Sequence, residues 1–394
     1  MSVFDEVVNR RGSGSYKWDS DSAAIPLWVA DMDFRTAPVV EAALQRRVAH
    51  GVFGYTLVDD SYYDALTAWF SRRHGYDIDR RMVIYTSGVV PALSAIIKAL
   101  ASPGEGVIVQ TPVYNCFFSS IRNNGCRIVE SPLRRVDVGR GLFSYEMDFD
   151  DLEQKASQPD VRLLLLCNPH NPAGRAWRHD ELVRVAEICR RHGVRVVSDE
   201  IHCELTMPGV DYVPFGVVDR EVNAGEGGQA VVCLSPSKAF NTAGLQIANI
   251  VCPDDAVRRM VDRAININEV CDVNPFGVEG LKAAYSQGGE AWLDELRAYL
   301  RDNYEFTRTY LASRLPQCPL TVLEATYLPW LDVRAFGIAS ETLEERLRQE
   351  AGVWVNCGTM YGQEGYLRIN IACPRSLLAE GLRRMADWFV KINA

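Results

Sequence analysis

Ala230-Val231-Val232-Cys233-Leu234-Ser235-Pro236-Ser237-Lys238-Ala239-Phe240-Asn241 is the stretch on which the reading of this chain turns. Five apolar residues make a short strand, small hydroxyl residues close it, and a lysine stands just beyond its end. A lysine there costs free energy unless its charge is used or paired. One use is an imine with an aldehyde, in which the lysine first holds the aldehyde-bearing group and later moves protons. That use requires partners elsewhere in the chain.

Outward from this strand lie further apolar segments at 82–85, 106–109, 127–129, 161–166, 194–197 and 248–251. Several are apolar on both faces, as in a largely parallel sheet covered by helices. Helical patterns separate them. Asp180-Glu181-Leu182-Val183-Arg184-Val185-Ala186-Glu187-Ile188-Cys189 opens with acids, and Gly193 is placed to stop it. These signals predict an α/β fold: a large domain over 48–282 with a mostly parallel seven-stranded sheet. From about Gly280 the pattern changes. A long helix is expected through Trp292, Leu293, Leu296, Tyr299 and Leu300, then strands at 327–333 and 366–371 with a helix at 343–350 between them. Leu378, Leu382, Met385 and Phe389 share one face of a last helix. Residues 283–394 are therefore expected to form a smaller α+β domain, with residues 1–47 packed on it.

Composition narrows the function classes. The 394 residues are 47% hydrophobic and 24% charged, as in a globular protein with a sizeable core. A net charge of -9 gives no support to nucleic-acid binding. The start, Met1-Ser2-Val3-Phe4-Asp5-Glu6, lacks a signal-peptide pattern, and no apolar run is long enough to span a bilayer. Eleven scattered cysteines, never spaced Cys-x-x-Cys, read as reduced thiols in a cytoplasmic protein without a disulfide frame or metal site.

Four strand ends carry the chemistry, where open α/β sheets bind ligands. Thr86-Ser87-Gly88-Val89-Val90-Pro91 opens a helix whose first N–H groups suit a phosphate, although the string also fits an ordinary turn. Asn168-Pro169-His170-Asn171-Pro172-Ala173-Gly174 is either a plain turn or a pair of directed amides. Asp199, in Ser198-Asp199-Glu200-Ile201-His202, either caps a helix or keeps a pyridine nitrogen protonated. His202 is open between a structural and a site role. Lys238 is the fourth. In combination these residues meet the needs of pyridoxal phosphate: a helix terminus and hydroxyls for the phosphate, a carboxylate for the ring nitrogen, a donor for the phenolic oxygen, and a lysine for the aldehyde.

The same strings resemble the fold type I pyridoxal-phosphate enzymes, the aspartate aminotransferase superfamily of class I/II, over nearly the whole chain. Val29-Ala30-Asp31-Met32-Asp33-Phe34, Thr111-Pro112-Val113-Tyr114 and Gly358-Thr359-Met360-Tyr361-Gly362 add to the likeness. Gly51-Val52-Phe53-Gly54-Tyr55 and the Asp-Glu-Ile-His string resemble the cystathionine β-lyase-like C–S lyase branch. The resemblance implies that Lys238 joins the cofactor and acts as acid and base, Asp199 pairs with the ring nitrogen, and Asn171 donates to the phenolic oxygen. It further implies that Gly88, Val89 and Val90, with Ser235 and Ser237, hold the phosphate, that Tyr114 stacks on the ring, and that Arg368 clamps the substrate carboxylate beside Asn171 and Tyr114. Core packing remains open for Tyr114, and a surface position for Arg368. Tyr55 would reach the phosphate of a neighbouring subunit, which implies a homodimer with shared active sites. Two positions depart from the common pattern: His202 stands where many members have tyrosine beside the phenolic oxygen, and Gln246 where many have a phosphate-binding arginine.

The implied reaction is β-elimination on a sulfur amino acid such as cystathionine, giving a thiol (homocysteine), pyruvate and ammonia, with Tyr55 or Lys238 as acid for the leaving thiolate. An aminotransferase shares the early steps and differs in where the proton returns. A cofactor-binding regulator with weak turnover is the alternative from another class.

Overall fold

The structure, a computed structural model, describes residues 2–224, 228–267 and 272–392. Its centre is a seven-stranded sheet in the order Val83–Thr86, Ala248–Val251, Val231–Leu234, Arg195–Asp199, Val161–Cys167, Gly106–Val109, Arg127–Glu130. Ala248–Val251 runs antiparallel to both of its neighbours, and the other pairs are parallel. The fold is therefore the expected α/β architecture. The strands are apolar on both sides because both sides are covered. Leu163 and Leu165 face one buried cluster with Val107, Val197 and Val231, whereas Leu164 and Leu166 face the other with Val196 and Val232. The helix His179–His192 ends at Gly193, whose φ of 68° only glycine adopts readily.

Register aligns the strand ends that matter. Cys167 pairs with Asp199, and Asp199 with Cys233. Asn168 and Glu200 thus leave the sheet level with Leu234, the last residue of its strand, and the turns that follow are neighbours.

A second sheet of six strands runs in the order Asn356–Cys357, Tyr366–Arg368, Trp330–Asp332, Leu320–Thr321, Leu142–Glu146, Arg134–Gly139. The long helix spans Gln287–Arg314, and the last helix Arg375–Ile392. The strands are shorter than the sequence pattern suggests. Only Trp330–Asp332 of 327–333 pairs as strand, since Pro329 has no N–H to give. After Arg368 the regular strand ends, although Ile369 N and Ile371 N still donate to Pro329 O and Tyr327 O, and the Asn370 side chain turns to another segment. The helix near 343–350 is α-helical over Ser340–Arg346 and continues as a wider π turn over Leu347–Ala351. The hairpin Arg134–Gly139 and Leu142–Glu146 was not foreseen; Leu142 and Phe143 pair parallel with Leu320 and Thr321. At the other end, Ile25–Pro26 pairs with Val353–Trp354. Phe4 packs among Phe34, Trp292 and Tyr299.

Ten described cysteines are free thiols, and Cys271 lies outside the described residues. Among the described residues no helix is long and apolar enough to cross a membrane.

Candidate active site

At the carboxyl ends of the central strands lies a cavity of about 180 Å³. It is lined by Gly88, Val89, Val90, Tyr114, Asn171, Asp199, His202, Ser235, Ser237 and Lys238, together with Ala30 and Gln246. Ten of the residues singled out in the sequence thus meet in one place. Arg368 joins them through Asn171, whose Oδ1 accepts from its guanidinium at 3.2 Å. Tyr55 does not. It is 96% exposed, and the cavity of its own chain does not include it.

Lys238 reaches from the strand-end turn so that Nζ donates to the Ala30 carbonyl at 2.7 Å. Desolvation lowers its pKa to about 8, helped by the charge of Arg368 and opposed by Asp31 and Asp199. A lysine so poised is partly neutral near physiological pH, which a nucleophile and proton carrier needs.

Asp199 ends its strand 3% exposed. Its Oδ1 accepts from the Ile201 N–H at 3.1 Å, and among the described residues it forms no ion pair. Burial raises its pKa to about 7; the Ile201 N–H and Lys238 oppose the rise, and Glu200 adds to it. A buried carboxyl of this kind is matched by a protonated ring nitrogen. His202 is also buried, and desolvation with the charges of Lys238 and Arg368 lowers its pKa to about 3. It is a neutral imidazole whose Nδ1 has no hydrogen-bond partner.

The helix Val89–Leu100 begins at Gly88 without a side-chain cap. Pro91 carries no N–H, so Val89 and Val90 supply the free donors of the first turn, where the helix dipole favours an anion. Ser235 donates to the Ile247 carbonyl at 2.6 Å, and its oxygen lies 2.8 Å from the Ser237 hydroxyl. Gln246 sits beside them at a φ of 52°. Tyr114 is half-buried and precedes the helix Asn115–Asn123.

Arg368 is 3% exposed and forms no ion pair among the described residues. Besides Asn171 it donates to the Trp28 carbonyl at 2.8 Å, lies 4.7 Å from the Tyr361 ring centre, and keeps a buried Nε without a partner. A buried cation that lacks its anion calls for one. The carboxylate of an amino acid fits, as a bidentate partner.

The donor set therefore fits pyridoxal phosphate. An acid without an ion pair, an uncapped helix start, an orphaned imidazole nitrogen and a lysine with lowered pKa surround one cavity.

Three contributors were missed in the sequence. Residues 28–34 form a strap that meets the cavity at Ala30, and side chains from distant segments hold its backbone. Asn241 accepts from Met32 N and donates to Met32 O and Phe34 O. Asn370 donates to Val29 O and Asp31 O, and Tyr327 to Ala30 O. Asn241 was visible three residues after the lysine; nothing in the local pattern marks Tyr327 or Asn370.

Fold and site together define an enzyme of the cofactor-dependent transferase type. The chain belongs to the aminotransferase class I and II family, whose model matches residues 24–385. It is 40% identical to cystathionine beta-lyase PatB of Bacillus subtilis, over 97% of this chain and 98% of that protein. It is similar to the crystal structure of cystalysin from Treponema denticola, which contains a pyridoxal 5'-phosphate cofactor (TM-score 0.93, 31% identity, 98% of each chain). It is also similar to the PLP-bound C-S lyase from Staphylococcus hominis (TM-score 0.89, 31% identity, 98% of this chain and 99% of that one).

Proposed function

We propose that this protein is a carbon–sulfur lyase that binds pyridoxal phosphate and cleaves cysteine S-conjugates such as cystathionine to a thiol, pyruvate and ammonia. The observation that carries this reading is Arg368, a buried guanidinium without an anion, set against Asn171 beside a cavity that holds a partly deprotonated lysine. The names of the relatives support the leaving group: cystathionine beta-lyase for one and C-S lyase for another.

When bound, the cofactor supplies an electron sink for the pair released at the substrate α-carbon. The rest falls to the chain. Lys238 would hold the cofactor, and Val89 and Val90 N–H with Gly88, Ser235 and Ser237 its phosphate. Asp199 would keep the ring nitrogen protonated, with Asn171 and His202 at the phenolic side and Tyr114 against the ring. Arg368 would fix the carboxylate and so turn the Cα–H bond toward Lys238. Lys238 would take that proton, and Lys238 or Tyr55 would protonate the leaving sulfur.

Tyr55 belongs to this reading as a residue of the partner subunit in a homodimer, supported by its exposure in a segment where Val52, Phe53 and Leu57 are also exposed. A cytoplasmic location suits the ten free cysteines. The division into a cofactor-holding unit, residues 48–282, and a second unit of residues 1–47 and 283–394 is also proposed. The pairing of Ile25–Pro26 with Val353–Trp354 supports it, and the hairpin that pairs with Leu320–Thr321 crosses it.

The deciding experiment is incubation with cystathionine, with pyruvate and free thiol as readouts. Stoichiometric release of both without an added keto acid is expected, and Lys238→Ala should lower it by about 1,000-fold or more. Amino exchange that depends on a keto acid, with no thiol released, would sink the lyase reading.

A further inference from the structure

Lys238 is bonded to a backbone oxygen that is itself held from two sides. The Ala30 carbonyl accepts from Lys238 Nζ at 2.7 Å and from the Tyr327 hydroxyl at 2.9 Å. The carbonyls on either side of it, Val29 and Asp31, both accept from Asn370 Nδ2. Tyr327 is 0% and Asn370 1% exposed, so neither donor serves solvent. A carbonyl has two lone pairs, and here one goes to a tyrosine and the other to the lysine. Tyr327 reaches the strap from the second sheet's loop, and Asn370 from just beyond Arg368. The segment that receives the lysine is thereby tied to the segment that carries the guanidinium.

We propose that the Ala30 carbonyl, fixed by Tyr327 and Asn370, is the seat of the Lys238 ammonium whenever that lysine is not joined to the cofactor, and that Tyr327 and Asn370 are positioning residues of the reaction. The proposal rests on the reading of Lys238 as proton carrier. A freed lysine side chain has four rotatable bonds and would otherwise sample the cavity. A fixed acceptor at 2.7 Å returns it to one place. Because a carbonyl bonds the charged amine more strongly than the neutral one, the seat also holds the lysine's proton against desolvation. The other groups facing Lys238 are Arg368, Asp31, Asp199, Cys116 and His202; of these only Asp31 rides on the strap, and because its charge raises the lysine's pKa, its displacement in Asn370→Ala acts in the same direction as loss of the carbonyl.

The test is the protonation of Lys238 in full-length protein stripped of cofactor. Pulse acetylation across pH, read at Lys238 by peptide mass spectrometry, should give a wild-type midpoint near 8. Asn370→Ala frees the strap, removes the acceptor, and should lower the midpoint by about half a unit or more. Tyr327→Phe leaves the carbonyl to the lysine alone and should raise it by a similar amount. Opposite signs distinguish the seat from general loosening, which admits water and moves both upward. With cofactor bound, both variants should lose about tenfold in kcat for cystathionine while KM stays within about threefold. A midpoint unmoved in both, or a rise in Asn370→Ala, would overturn the proposal. If Asn370→Ala does not fold, Tyr327→Phe decides: a raised midpoint with the kcat loss supports the seat, and an unmoved midpoint overturns it. Should the wild type fail to cleave cystathionine, the proposed function fails, while the midpoints still report on the seat.

Discussion

At the scale of the residue, Asp199 is the costly group. Its carboxyl, moved from 3.8 to about 7 chiefly by burial, sits at a strand end without a cation of its own. A raised acid pKa means the folded chain binds a proton where the unfolded chain has released it. Stability then falls as pH climbs from about 4 to about 7, and stays low above. The rise corresponds to a loss on the order of 4 kcal/mol. Asp199→Asn removes that charge and can keep the Ile201 N–H bond. It should therefore raise the melting temperature of cofactor-free protein by about 2–6 °C at pH 8, with less than about half of that rise at pH 5. Cofactor affinity and lyase turnover should both drop. Thermal melts at the two pH values check this, and equal shifts at both would show that the carboxyl is not held neutral by burial. The functional group is thus a liability to the empty fold, tolerable because a ring nitrogen would relieve it.

At the scale of the element, the strap of residues 28–34 has no regular structure, and its backbone groups are met by side chains. Trp28 O takes Arg368 and Asn356, and Asn241 alone makes three bonds to Met32 and Phe34. A buried cluster underpins it: Asp33 accepts from Arg10, Lys17 and Trp18, with Lys17 1% exposed. Asn241 has a φ of 54°, so two costs can be separated there. Asn241→Ala loses the bonds and strains the backbone, and should destabilise by about 3 kcal/mol; Asn241→Gly loses only the bonds and should cost about 1 kcal/mol less. Denaturant unfolding of both measures the difference, and an Ala variant no worse than Gly would mean the left-handed turn is not kept.

The contrast with the sheet explains what could be read in the sequence. Segments such as 163–166 announce themselves because a strand buried on both faces must be apolar throughout. The turns at Asn168, Asp199 and Lys238 were legible because each lies at or just beyond the end of such a strand. The hairpin Arg134–Glu146 was not, since the outer strand is largely exposed and only Phe143 and Tyr145 reach the core. Neither was the strap, whose order comes from single side chains far away in the sequence. Tyr327 stands before the strand Trp330–Asp332 and Asn370 after Tyr366–Arg368, in irregular flanks where no period marks them.

At the scale of the whole molecule, one residue of the proposed site stands apart. Tyr55 is 96% exposed and outside the cavity of its own chain, in a stretch where Val52, Phe53 and Leu57 are bare as well. Exposed apolar runs of this kind are covered when copies associate, and a two-fold dimer would exchange the same segment in both directions. If each site takes its lysine from one chain and its tyrosine from the other, two defective chains can repair each other. Lys238→Ala and Tyr55→Phe should each fall at least about tenfold below wild type when pure. Mixed after dissociation and allowed to reassociate in equal amounts, about half of the dimers pair one chain of each kind. In such a dimer the Tyr55→Phe chain still has its lysine and receives an intact tyrosine, while the other site lacks its lysine. One site in two is whole, so activity should recover to about a quarter of the wild-type value. Recovery near that level, growing with the time allowed for exchange, would follow from sharing. Activity that stays at the average of the two pure variants would place Tyr55 outside the partner's site and remove the shared-site dimer from the proposal.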